Sequence, residues 1–555
     1  MNQLSNGDYL VFLIYFAIVA SYGWFVYKHK HKADVSSKGY FLAEGSLTWW
    51  AIGASLIASN ISAEQFIGMS GSGFKMGLAI ATYEWMAALT LVIVAVFFIP
   101  VYLKNKIFTM PQFLNQRYNS TVAMIMAIFW LLLYVVVNLT SILYLGALAV
   151  SSISGIAFWP CMVGLALFAI VITLGGMKVI GYTDVIQVFF LILGGLVTTY
   201  IAINLVSAHF HTQGIFNGLK LMEVQAKDHF HMIFKKDNPN YIDLPGLTVL
   251  IGGMWIVNLN YWGCNQYITQ RALGANLKTA RGGILFAAFL KLLMPVIVVL
   301  PGIAAFVLYK QDVFHNQLMQ GGEVNPDRAY PVLLNLLPAG LKGLSFAALT
   351  AAVVASLAGK ANSIATIFTL DIYKKRIKPD MTDKQMVVVG KITVVVAMVL
   401  GIAISPFLGI DKKGGFQYIQ EYTGFVSPGI FAMFILGFFW RKTTSNAALF
   451  ATIGGFAFSV LFKFLPNIVN LKFLSPFGFS VNNAGVYEIP FLDRMGFVFV
   501  ICIVGMFIIS MIENSSGKRV NALEVDTKMF RTTNAFAVGA LLICGILVAL
   551  YSVFW

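Results

Sequence analysis

The sequence predicts an all-α polytopic membrane protein with about fourteen transmembrane helices, and three observations predict it. Hydrophobic residues fill 59% of the 555 positions and charged residues only 11%, where soluble domains carry about half apolar and about a quarter charged residues. Mean hydropathy is +0.80, and apolar runs of membrane-crossing length recur from end to end. Lysine and arginine lie in short loops between those runs, so the formal net charge of +15 orients helices and does not mark a nucleic-acid surface.

In chain order the expected spans are 9–27, 47–72, 76–103, 121–153, 156–175, 178–205, 246–264, 283–310, 331–372, 386–407, 416–440, 445–465, 493–512 and 534–555. Met1 to Asp8 lacks the basic start of a cleavable signal peptide, so the first run is expected to stay as a helix. Several runs exceed the ~20 residues needed to cross and must tilt, bend or project. The basic loops KHKHKADVSSK (28–38) and YKKRIKPD (373–380), Lys104 to Arg117, Arg271 to Arg281, Arg441–Lys442 and Lys518 to Arg531 all fall on one side. The positive-inside rule makes that side cytoplasmic and both termini external, in the cell's inner (plasma) membrane. The longest connection, 206–245, is then outside.

Several function classes recede at this point. No Gly-rich loop with Lys-Ser/Thr cradles a phosphate, which disfavours ATP as the energy source. All seven histidines lie in expected loops, which disfavours intramembrane haem or His-metal chemistry. The four cysteines lack metal-ligand spacing and read as small core hydrophobes. No organic cofactor, no nucleic acid and no obligate protein partner is expected, and no nucleophile constellation argues for an enzyme.

The polar interruptions of the spans are more informative. LIASNISAEQFIGMSGSG (56–73) breaks an apolar run with Ser59, Asn60, Ser62, Glu64 and Gln65. GGMWIVNLNYWGCNQ (252–266) carries Asn258 and Asn260 between glycines. Unwound backbone at membrane depth is tolerated only in protein or beside a wet cavity. Broken helices at matching places in two halves point to a transporter site between inverted repeats. These are the second and seventh spans, five apart. Glu84, Lys291 and Lys360 are ionisable residues inside spans and Asp184 lies near a span end; such groups face a bundle interior or a cavity. The opposite charges of Glu84 and Lys291 suggest a shared one. As structural glue, each would simply be paired; as core packing, Tyr261 and Phe416 would be ordinary aromatics.

The motifs ASLIASNISAEQFIGMSGSG, ATYEWM, GYTDVIQVFF, NYWGCNQYITQR, NSIATIFTLDIYKK and FQYIQEYTGFVSPG resemble the sodium/solute symporter family, closest to its bacterial sodium/galactose (sodium/glucose) branch, over nearly the whole chain. The resemblance implies a leucine-transporter-type core of two inverted five-helix repeats with broken first helices. An extra N-terminal helix and basic loop would occupy 1–46, the first repeat 47–205, an external loop 206–245, the second repeat 246–440 and three peripheral helices 441–555. It implies a sugar bound by Asn60, Gln65, Glu84, Asn258, Lys291 and Gln420, with Tyr261 and Trp262 as inner gate and Met69, Tyr83 and Phe416 as outer gate. Amides and a Glu/Lys pair suit hydroxyls that donate and accept, while a ring covers an apolar sugar face. Ala87 departs from the pattern, standing where the galactose site has a serine.

The resemblance also implies a sodium site from backbone oxygens at Ala58, Ile61 and Ala352 plus two hydroxyls. Only the second hydroxyl is present, as Ser356, since Ala355 replaces the first. Lys360 follows Ser356 by one helical turn, about 6 Å, and Asp184 matches an aspartate on the ion path. Lys360 therefore either pairs with Asp184, or places its ammonium at the vacated site, or snorkels to the interface. The expected function is sodium-coupled import of a hexose-like sugar from one side of the lipid bilayer. The alternatives are a sodium-independent or proton-coupled sugar carrier that uses Lys360, and a membrane sugar sensor.

Overall fold

The computed structural model describes residues 4–30, 40–41, 47–320, 322–407, 415–477, 480–482, 485–517 and 520–555. Helices dominate; the strands among the described residues are two short ladders, Met319–Gln320 on Glu323–Val324 and Ser480–Val481 on Tyr487–Glu488. The main helices are α1 (Asn6–Lys30), α2 (Trp49–Asn60), α3 (64–76), α4 (82–104), α5 (Ser120–Ser154), α6 (Phe158–Leu174), α7 (Gly176–His209) and α8 (Gly253–Cys264). They continue with α9 (Leu277–Tyr309), α10 (Leu341–Ile377), α11 (Asp383–Phe407), α12 (Phe416–Thr423), α13 (Ser427–Phe439), α14 (Ser445–Asn467), α15 (Phe491–Ser515) and α16 (Asn534–Val553).

Among the described residues ten helices are long and apolar enough to cross a bilayer, or eleven when α12 and α13, bent by 51°, count as one span. These do not confirm the expected count of fourteen, because broken and shorter apolar helices are left out of them. The run expected over 47–72 divides into α2 and α3, because Ile61 turns extended (φ −83°, ψ 112°). The run from Glu64 to Lys104 stays helical but is punctuated at Gly77, whose φ of 71° suits glycine. The α6 helix has 17 residues, and α8 has 12 after a break at Gly252. The break expected around Asn258 and Asn260 lies instead at Asn265, which is extended (φ −95°, ψ 129°). Both asparagines remain helical, and each donates one amide hydrogen bond there. Asn258 donates to the Met254 carbonyl at 3.2 Å and Asn260 to Ser427 Oγ at 3.0 Å.

Burial ranks the helices. In the most apolar stretch of α10, 89% of residues are buried, against 17% in both α1 and α16. So α10 is central, with α2, α3, α4 and α9 packed around the break, while α1 and α16 face lipid. The loop 206–245 folds onto the C-terminal end of α3. Lys75 pairs with Asp243 at 3.1 Å. His229 lies 3.0 Å from the Phe74 carbonyl and stacks on Phe306, and burial holds its imidazole below the usual histidine value.

Candidate functional site

The break between α2 and α3 is held by its own side chains. The Ser62 N–H donates to Gln65 Oε1 at 3.0 Å and the Glu64 N–H to Ser62 Oγ at 3.2 Å. In a continuous helix those two N–H groups would reach the carbonyls of Ala58 and Asn60; here they do not. The next six residues, Glu64–Met69, form a π-helical turn, a device common at functional sites. It sets Glu64 and Gln65 side by side on the wall of a cavity.

About 830 Å³ of non-atom space, open solvent included, lies between the residues of that cavity. Its wall brings together Asn60, Gln65, Glu84, Asn258, Lys291, Gln420, Tyr261, Trp262, Tyr83 and Phe416. Met69 is fully buried but is not on the wall. Lys291 Nζ donates to Glu84 Oε2 and to Asn60 Oδ1, and stands 5.2 Å from the Trp262 ring. Asn60 Nδ2 in turn donates to the Tyr261 hydroxyl at 2.9 Å. A single buried network thus joins the end of α2 to α4, α8 and α9. Gln65 spends its oxygen on the break, leaving Nε2 for a guest.

Aromatic rings close both ends. Tyr83 and Phe416 meet edge to face at 5.0 Å and are nearly inaccessible (4% and 2%). Gly68 allows this closure: a Cβ there would lie 2.7 Å from the Phe416 nitrogen. At the other end Tyr261 meets Trp262 at 5.1 Å and Tyr267 at 5.6 Å. Sequence reading left Glu64, Asn138, Asn265 and Tyr267 without a role, and all four line the cavity. Asn138 could have been flagged as a lone amide in LLYVVVNLTS. The cavity also holds Lys360, so the ionisable groups on its wall, apart from tyrosines, are two carboxylates and two ammonium groups, of zero formal sum.

The residues expected at a cation site cluster beside the break. Ala58, Ile61, Ala352 and Ser356 are all fully buried, and the Ser356 hydroxyl donates to the Ser59 carbonyl at 3.1 Å. The break leaves the Ala58 and Asn60 carbonyls without the N–H groups of Ser62 and Glu64, and main-chain oxygens freed in this way suit a small hard cation. Lys360 neither pairs with Asp184 nor snorkels: it is 1% exposed, with Nζ 3.5 Å from Ser356 Oγ.

Asp184 has a different partner, which corrects the expected pair. Ser55 donates to Asp184 Oδ2 at 2.5 Å, Arg271 Nε donates to Ser55 Oγ at 2.7 Å, and Arg271 Nη2 is 3.9 Å from the carboxylate. Arg271 also donates to the Tyr267 carbonyl. Its planar guanidinium aims fixed donors at Ser55 and Tyr267 while its charge faces Asp184, a geometry that a single point-like ammonium does not reproduce. Arg271→Lys is therefore expected to keep the charge yet cost about 1–3 kcal/mol of stability, read from unfolding of the purified protein; an unchanged unfolding midpoint would refute the fork's role.

A family model described as the sodium:solute symporter family matches residues 40–455. A sodium/glucose cotransporter of Vibrio parahaemolyticus is 46% identical over 571 aligned positions, covering 100% of both chains. A sodium/myo-inositol cotransporter 2 of Homo sapiens is 34% identical, covering 81% of this chain and 69% of the relative. Among solved structures, a substrate-bound, outward-open Na+-coupled sialic acid symporter is similar with a TM-score of 0.73 and 22% identity, covering 92% of this chain and 98% of the other. That likeness establishes the shared fold.

Proposed function

The chain belongs to the sodium:solute symporter family, and from that premise we propose that it imports a hexose-like sugar together with sodium by alternating access. The cavity carries this reading. Its wall pairs a Glu–Lys–Asn network with further amides and hydroxyls, groups that match a polyol's donors and acceptors. Its formal charges cancel, which favours an uncharged guest; glucose and myo-inositol, named for two relatives, are of that kind, and a carboxylate-bearing solute is not.

Sodium enters at the oxygens of Ala58, Ile61, Ala352 and Ser356 and draws α2 against α10. Sugar then settles among Asn60, Gln65, Glu84, Asn258, Lys291 and Gln420, with Phe416, Tyr83 and Met69 closing outside. Tyr261 and Trp262 swing away to release it inward, and sodium leaves past Asp184. In this reading 47–205 and 246–440 are the two inverted repeats, the protein sits in the inner membrane and both termini face outward. The test is uptake of labelled D-glucose, D-galactose and myo-inositol into proteoliposomes, with sodium or with choline outside. Uptake of at least one sugar is expected to fall to background in choline, and unchanged uptake refutes symport.

A second reading is favoured by one observation, the ammonium of Lys360 beside Ser356. There the lysine replaces sodium outright, and the carrier runs without a cation or with protons. Sodium-independent uptake selects it, and the dependence of that uptake on pH separates its two forms.

A further inference from the structure

Lys360 and Glu64 are the charged groups on the cavity wall that, among the described residues, have no ion-pair partner. Glu64 accepts from Ser141 Oγ at 3.1 Å. Lys360 has three N–H donors, yet its polar neighbour is Ser356 Oγ at 3.5 Å, and its ammonium otherwise rests 5.0 Å from the Tyr267 ring. Ser356 Oγ bonds the Ser59 carbonyl in the oxygen-lined corner assigned above to sodium. A buried positive charge therefore stands against the corner a cation must enter. Of the charges around it, Arg271 repels the ammonium and Glu64 attracts it. Arg271 is itself engaged with Asp184, so Glu64 is the acid left to receive a displaced lysine.

We infer that Lys360 competes with sodium for this corner, and that sodium's arrival drives its ammonium to Glu64. The four-carbon stem of a lysine permits such a swing without moving the helix. Glu64 adjoins Gln65 on the π-helical turn, and both line the cavity proposed for the sugar. The displaced charge thus reports cation occupancy to the sugar side of the cavity, and sugar affinity rises only once sodium is bound. This inference rests on the symport reading; it makes Lys360 a positioning residue that couples the two sites.

Two like unit charges about 5 Å apart, at an effective dielectric of about 20, weaken each other's binding by at most roughly two- to three-hundredfold. Lys360→Met is therefore expected to tighten the sodium half-saturation of glucose uptake roughly ten- to hundredfold. It is also expected to shrink the ratio between glucose affinities measured with sodium and with choline in titrations of the purified protein. A merely structural lysine would loosen sodium binding or leave it alone. Glu64→Gln is expected to do the reverse and weaken sodium half-saturation, because the ammonium loses its receiver; it carries the test if Lys360→Met does not fold. Unchanged or weaker sodium binding in Lys360→Met, or unchanged binding in Glu64→Gln, overturns the inference while the symport reading stands. Glucose uptake by the parent that ignores the choline exchange overturns the symport reading itself, whatever the variants do.

Discussion

Replacing Lys291 with methionine is expected to abolish sugar uptake and to lower stability by about 3–5 kcal/mol, the usual cost of stranding one partner of a buried ion pair. Glu84 is 3% exposed and its carboxylate faces Lys291 Nζ; the substitution leaves that carboxylate without its counter-charge. Asn60 loses the same donor, so the end of α2 loosens as well. The double variant Glu84→Gln, Lys291→Met is expected to recover most of the unfolding temperature while uptake stays at background. Stability returns because no lone charge remains buried, and transport does not because the groups that read the sugar are gone. Thermal unfolding in detergent and labelled uptake check the two halves separately. A Lys291→Met protein as stable as its parent would show that the pair does not hold these helices together.

Gly68→Val is expected to leave sugar binding from the outside intact while cutting uptake roughly five- to hundredfold. A Cβ at residue 68 would lie 2.7 Å from the Phe416 nitrogen and 2.9 Å from its Cβ. Those are main-chain and stem atoms that cannot rotate aside, and overpacking of this kind costs about 1–3 kcal/mol, which sets the factor in the population of the closed state. Titration of the purified protein with glucose and uptake into proteoliposomes give the two readings. Uptake equal to the parent's would mean that α12 does not approach α3 during the cycle.

Much of this site was legible because lipid makes polar residues conspicuous. Glu84, Lys291 and Asn60 each interrupt an apolar run, and they share one network. The family resemblance then supplied partners from distant segments, such as Gln420 and Phe416, that no local pattern connects to them. What stayed hidden depended on which neighbour wins a group. Asp184 sits with Ser55 and Arg271 instead of Lys360, and no spacing in the sequence distinguishes a guanidinium from an ammonium as its partner. Asn258 and Asn260 looked like unwound backbone, yet both stay helical, one with a local and one with a cross-helix amide bond, and the break lies at Asn265. Gln65 was read as a sugar ligand alone, whereas its oxygen first secures the break. The bend between α12 and α13 went unnoticed inside TGFVSPG, although Gly424 and the restriction that Pro428 places on Ser427 were signals for it.

The cancelling charges on the cavity wall have an electrical consequence. A neutral sugar adds nothing to the charge crossing with it, so each turnover that carries one sodium is a current of one elementary charge. Voltage then acts on the cargo through the ion alone: about 100 mV, negative inside, contributes about 2.3 kcal/mol per turnover, roughly fortyfold in accumulated sugar. A cell whose membrane is depolarised would lose that factor even with its salt gradient intact.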